Sequence, residues 1–120
     1  MLKSKKRDLA LLLIVFFLLP LKSSFAENKL LMITADYCVY CQIWEKEIGE
    51  IYPKTDISKD FPLERIKLDD DSIKNEPNNY ETKITPTFVF LREKEEIGRI
   101  TGYSSAEMFW WQVDEILGRD

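Results

Sequence analysis

Histidine is absent from the 120 residues. That excludes a Ser-His-Asp triad, a Cys-His nucleophile pair and any imidazole metal site. Cysteine occurs only twice, too few for a four-ligand zinc site within one chain. Positive charge is in the minority, with 17 Lys and Arg against 21 Asp and Glu. No cationic excess exists to displace counterions, so a nucleic-acid partner is not expected. Long apolar runs are missing too: the longest covers residues 9–19, 11 in all. As a helix it would reach about 16 Å, well short of the roughly 30 Å hydrocarbon core of a bilayer. What remains is 45% apolar and 32% charged, the balance of a globular chain with room for one small domain.

The first 26 residues read as an address. Lys3, Lys5, Lys6 and Arg7 precede the apolar run, Pro20 breaks it, and Ser24-Phe25-Ala26 offers small residues at the two positions a signal peptidase reads. This is the layout of a secretory signal peptide cut after Ala26, leaving a domain over residues 27–120. The other reading is an uncleaved membrane anchor, for which the run is short. No cysteine lies near the cut, so a lipid anchor is not expected. Residues 1–26 hold five of the basic side chains and one of the acidic ones, so the remaining 94 residues carry 12 basic and 20 acidic groups, a net charge of −8. Such a surface suits solubility and a partner with a basic docking face, and it opposes anionic lipid. A merely solvated surface explains it equally well. Export, to the periplasm or beyond, would favour oxidation of two nearby thiols unless something reduces them.

Leu30-Leu31-Met32-Ile33 suits a buried central strand. A polar turn leads to Cys38. From Cys41 the spacing 3, 4, 3 places Cys41, Trp44, Ile48 and Ile51 on one face of a helix that ends near Tyr52-Pro53. Residues 62–68 alternate imperfectly and read as a strand. Asp69-Asp70-Asp71-Ser72 supplies a loop and a helix N-cap rather than a metal site, and Pro77 with Asn78-Asn79 keeps any helix there short. Thr87-Phe88-Val89-Phe90-Leu91 is the strongest strand signal; residues 92–95 turn the chain, and residues 96–101 return as its hairpin partner. Ser104 with Glu107 predicts a capping box. The last helix carries Phe109, Trp110, Val113, Ile116 and Leu117 on one face. The order β-α-β-α-β-β-α implies an α/β layer fold with a mixed sheet. Trp44 and Trp110 are expected in the core. Met108 and Trp111 lie off the apolar stripe, so they either cover a sheet edge or meet a partner.

Cys38-Val39-Tyr40-Cys41 falls at a strand-to-helix junction. The first turn of a helix presents unpaired N–H groups and about half a positive charge. A thiolate there is stabilised below the free value of ~8.5. Cys38 is therefore expected to be the exposed attacking sulfur. Cys41 opens the apolar stripe and is expected inside, within reach to resolve a mixed disulfide on Cys38. Two alternatives stand beside this redox reading. A structural disulfide would close a very short loop and gain little chain entropy. A shared zinc site would need two more thiolates from a second chain. Tyr37 and Tyr40 flank the sulfurs and are expected to shape a docking rim. Thr85-Pro86 opens the strong strand, where a missing N–H is tolerated.

Ala35-Asp36-Tyr37-Cys38-Val39-Tyr40-Cys41, Tyr80, Thr85-Pro86-Thr87 and Gly102 resemble the thioredoxin superfamily in order and spacing. The resemblance implies a thioredoxin-like fold: a four-stranded mixed sheet with flanking helices. It implies that Pro86 is cis and faces the cysteines, that Thr85 offers its backbone to an incoming peptide strand, and that Gly102 keeps the rim open. A narrower likeness runs through Cys41-Gln42-Ile43-Trp44, Glu47-Ile48-Gly49, Ile51-Tyr52-Pro53-Lys54-Thr55, Gly102-Tyr103 and Phe109-Trp110. These resemble the small exported thioredoxins of sulfur-oxidation gene clusters, the SoxS type, which are thought to keep a sulfur carrier's cysteine reduced and active. The resemblance thus implies an exported thiol-disulfide oxidoreductase acting as reductant on protein disulfides. It needs no cofactor beyond the Cys38–Cys41 disulfide, and it would draw electrons from a membrane thiol donor. An oxidase or isomerase on the same scaffold, and a non-catalytic binding module, are the alternatives. Two departures matter. The buried Asp that thioredoxins carry six residues ahead of the first cysteine is here Met32, which leaves Glu45 or water to accept the Cys41 proton. The inner dipeptide is Val-Tyr, not Gly-Pro, so the motif does not set the direction of electron flow.

Overall fold

The computed structural model describes residues 27–76 and 82–119. The expected signal peptide and Tyr80 lie outside the described residues. Four strands form one mixed sheet in the order β2-β1-β3-β4: β1 (Lys29–Thr34), β2 (Leu63–Lys67), β3 (Thr87–Arg92) and β4 (Glu95–Thr101). β1 runs parallel to β2 and antiparallel to β3, and β3 runs antiparallel to β4. Strands paired on both sides and covered on both faces carry continuous apolar sequence, which is why Leu30 to Ile33 and Phe88 to Leu91 are all buried.

Alternate residues of a strand point to opposite faces. Leu30, Met32, Phe88, Phe90 and Ile100 enter the larger core, where the helices lie. Leu31, Ile33, Ile66, Val89 and Leu91 form a smaller core on the other face, against Leu68 and Ile73. The imperfect alternation of β2 follows from this division: Leu63 packs into the first core and Ile66 into the second.

Helix α1 (Val39–Trp44) continues directly into a π-helical turn, Glu45–Gly49. Cys41, Trp44 and Ile48 face the core as their spacing predicts. Ile51 does not: it is 54% exposed, and Tyr52 is buried in its place. A π turn closes i→i+5 bonds and is wider than an α turn, so the apolar face returns one residue late. The Tyr52 hydroxyl then donates to the Phe61 carbonyl at 2.6 Å. The Trp44 ring lies 4.9 Å from that of Phe88 and 5.8 Å from that of Phe109, in the core as expected.

A short helix, α2 (Ile57–Asp60), occupies a stretch for which the sequence predicts no element; with the residue after it, it delivers Ile57 and Phe61 to the core. The short helix expected after β2 is a 3-10 turn, Asp71–Asn75, capped by the Asp70 carboxylate accepting from the Ser72 N–H at 2.8 Å. The hairpin turn is Glu93-Lys94, both with positive φ, and β4 starts at Glu95, one residue earlier than predicted. Left-handed two-residue turns match the twist of paired strands. Pairing passes from Phe90↔Gly98 to Leu91↔Glu96, so Ile97 is the extra residue of a bulge.

Helix α3 (Ala106–Leu117) is capped by Ser105, not Ser104; its hydroxyl accepts from the Met108 N–H at 3.2 Å. Glu107 then stands at the second helical position rather than the third, and the expected capping box does not form. Phe109 and Val113 are buried, while Trp110 stacks on Tyr52 with ring centroids 6.4 Å apart. Met108 and Trp111 are exposed, as their place off the apolar stripe predicts. Among the described residues no helix is long and apolar enough to cross a membrane.

Candidate active site

The register brings the chemistry-bearing loops to one end of the sheet. β1 ends at Thr34, and the chain turns through Tyr37, whose φ is +61°, to reach Cys38 at the start of α1. β3 runs the other way and pairs Thr87 with Ile33, so Thr85-Pro86 enters the sheet beside the exit of β1. β4 leaves at the same end: Thr101 pairs with Thr87, and the Gly102 N–H donates to the Pro86 carbonyl at 2.8 Å.

Cys38 is the N-cap of α1, with extended backbone (φ −87°, ψ 104°). Its Sγ accepts a hydrogen bond from the Cys41 N–H at 3.2 Å. A helix start leaves such N–H groups without backbone partners, so the sulfur fills the place a Ser or Asp oxygen usually takes. Cys38 and Cys41 are joined in a disulfide, with Cα atoms 5.2 Å apart. Their surroundings differ as expected. Cys41 is 3% exposed, inside the larger core; Cys38 is partly exposed at its margin. Among the described residues no group of three or more acidic or cysteine side chains is placed to hold a metal ion.

The Thr85-Pro86 peptide bond is cis, as the resemblance implies. Pro86 is buried and Thr85 partly buried. Among the described residues nothing hydrogen-bonds the Thr85 N–H or carbonyl. The loop that presents them is pinned by hydroxyls. Thr87 Oγ1 donates to the Ile84 carbonyl at 2.5 Å and lies 3.1 Å from Thr82 Oγ1, which accepts from the Ile84 N–H at 3.3 Å. Gly102 has φ +81°, a conformation that a side chain disfavours.

Tyr37 and Tyr40 are both well exposed, and so are Val39, Ile43 and Ile84. Sequence reasoning missed Ile84, which a Cβ on Gly102 would approach to 4.0 Å. An exposed branched residue directly before Thr85-Pro86 was the available signal. It also missed three polar ties around the site. Lys67 pairs with Asp36 at 3.1 Å; that carboxylate holds the exposed ammonium's pKa above its usual value. The Tyr103 hydroxyl donates to Glu47 at 2.8 Å, and burial together with that bond pushes its pKa up. Arg65 pairs with Glu45 at 3.0 Å. Only the tertiary fold brings these groups together, and spacing along the chain does not reveal it.

A partly open sulfur at a helix start, a buried sulfur behind it, and a cis-proline loop at the same end of the sheet define a thiol-disulfide oxidoreductase. The family model of the thioredoxin-like domain matches residues 22–117, and the chain belongs to that family. It is 31% identical over 84 residues to a thioredoxin H-type protein of Fagopyrum esculentum, covering 68% of this chain and 67% of that one. Among solved structures it is similar to the periplasmic thioredoxin SoxS from Paracoccus pantotrophus in its reduced form. The two are 33% identical with a TM-score of 0.70, over 77% of this chain and 97% of that one. A Malassezia sympodialis thioredoxin shares the fold at 16% identity and a TM-score of 0.60, over 76% of this chain and 79% of that one.

Proposed function

We propose that this chain is an exported reductant of protein disulfides, and that Cys38 and Cys41 carry the exchange. The observation that carries the reading is Cys38 at the helix start, accepting the Cys41 N–H, with Cys41 buried behind it. In the reduced protein the Cys38 thiolate attacks one sulfur of a substrate disulfide. A mixed disulfide forms and the other substrate sulfur leaves as a thiolate, which takes up a proton. The Cys41 thiolate then attacks the Cys38 sulfur, closing the Cys38–Cys41 disulfide and releasing the second substrate thiol. Two electrons pass to the substrate, and the cysteine pair is the only redox group required.

Thr85 and Pro86 would bind the substrate segment as an added strand, using the Thr85 backbone groups that have no partner among the described residues. Tyr37, Tyr40 and Gly102 would form the rim. The layout of residues 1–26 supports export with cleavage after Ala26 and a domain of residues 27–120. The SoxS neighbour, described as periplasmic, supports the same placement. Likeness to that protein also supports a sulfur-carrier protein as the substrate, with a membrane thiol donor regenerating the reduced pair in an oxidising compartment.

The test is a trap. Cys41→Ser stops at the mixed disulfide, so it is expected to collect a disulfide-linked partner in the native host that Cys38→Ser does not. Cys38→Ser is expected to abolish insulin reduction. A Cys41→Ser protein that traps nothing overturns the reading. A Cys38–Cys41 potential near about −120 mV would assign the oxidase role instead.

A further inference from the structure

Closure of the Cys38–Cys41 disulfide requires Cys41 to lose a proton, and Cys41 is 3% exposed. Beside it on β1 stands Met32, buried and without a titratable group. The Cys41 side chain borders a cavity of about 280 Å³, whose only charged lining groups among the described residues are Glu45 and Arg65. Each is there for a structural reason. Glu45 follows Cys41 by four residues, one turn along the same helical face. Arg65 is the register partner of Met32 on β2, and paired residues share a sheet face. Arg65 Nη2 and Nε both reach Glu45 Oε1, at 3.0 and 3.1 Å. Among the described residues Glu45 Oε2 has no hydrogen-bond partner. The next row on the same face is the Lys67–Asp36 pair, closed on itself at 3.1 Å.

We infer that Glu45, held over this cavity by Arg65, accepts the Cys41 proton through cavity water. Oε1 lies 3.2 Å from where a Cβ on Gly49 would stand, so the carboxylate is directed along the helix away from Cys41 and a bridging water is required. A cavity of this volume holds several waters, and Thr34 and Gln42 add polar partners for them. In the step, the Cys41 thiol gives its proton to water and that water gives one to Glu45. The thiolate attacks the Cys38 sulfur, the mixed disulfide breaks, and the departing substrate thiolate is protonated. Glu45 returns its proton to solvent, to which it is partly open. Arg65 is a positioning residue. The competing role is a half-exposed ion pair with a purely structural effect.

This inference rests on the exchange mechanism proposed above, and one experiment separates the two. The reduced protein is mixed with a chromogenic aromatic disulfide, and thiol release is followed by stopped flow across pH. Cys38 attack releases one equivalent; resolution by Cys41 releases the second. Glu45→Gln is expected to leave the first phase unchanged and to slow the second by roughly 10- to 100-fold at neutral pH, the lower range for general base catalysis. The gap closes at alkaline pH, where Cys41 ionises unaided. Glu45→Asp, which keeps a carboxylate, is expected to recover part of the rate, and Arg65→Gln to lose part of it. An unchanged first phase with an unchanged second phase and pH profile in Glu45→Gln overturns this inference alone. Absence of the first phase in the unaltered protein overturns the exchange mechanism, and this inference with it. A first phase at the unaltered rate also verifies that each variant is folded.

Discussion

Replacing Gly102 with alanine separates a backbone requirement from a space requirement at the rim of the site. Gly102 has φ +81°, and its N–H donates to the Pro86 carbonyl at 2.8 Å. An L-residue held in the left-handed region costs about 1–2 kcal/mol. If alanine instead relaxes to negative φ, the bond to Pro86 breaks, at about 0.5–1.5 kcal/mol. Among the described residues crowding contributes nothing, because the new Cβ would meet only Ile84 Cγ2, at an ordinary 4.0 Å. Urea denaturation of the oxidised protein is therefore expected to show a loss of ~0.5–2 kcal/mol, and a melting scan a drop of roughly 2–16 °C for a domain of this size. Gly102→Asn should cost less, since asparagine tolerates this conformation better. Adding Ile84→Ala to Gly102→Ala should restore no stability. Insulin reduction should slow through a raised KM as the rim shifts. Unaltered stability in Gly102→Ala, or recovery on trimming Ile84, would refute the assignment of the cost to the backbone.

Gly98→Ala would place a Cβ 2.8 Å from two carbons of Ile116, pressing β4 against α3. Overpacking of that kind costs about 1–3 kcal/mol. In urea titrations Ile116→Ala should be less damaging in the Gly98→Ala background than alone, a coupling that strictly additive losses would disprove. Tyr52→Phe removes a buried hydroxyl and leaves the Phe61 carbonyl without it, for about 1–3 kcal/mol. Burial also raises the Tyr52 pKa above its usual 10.0, so the folded state prefers the neutral phenol. The stabilisation is complete below pH 10.0 and falls as pH rises above it, because the unfolded chain ionises first. Stability measured against alkaline pH should therefore decline less steeply in Tyr52→Phe, and an identical slope would count against the buried phenol.

The strands and both sulfurs were legible because each carries a local signal. A doubly covered strand must be apolar throughout, and a helix that begins at a core must bury one residue of its first turn, here Cys41. Ile51 misled because periodicity assumes an α-helical pitch, while the turn Glu45–Gly49 is π-helical and transfers burial to Tyr52. Ser104 misled because adjacent serines are equally good caps by type. Backbone geometry chose Ser105, which is extended at φ −158° and ψ 159°. The helix Ile57–Asp60 is too short for periodicity to register. The Arg65–Glu45 and Tyr103–Glu47 ties join residues 20 and 56 positions apart, and only the folded sheet brings them together.

The account depends on Cys38 being ionised more readily than a free thiol. The direct measurement is the pH dependence of Cys38 alkylation by iodoacetamide in reduced Cys41→Ser protein, where no second thiol interferes. The helix-start N–H groups around Cys38 predict a midpoint clearly below ~8.5. A midpoint at or above that value would contradict the account.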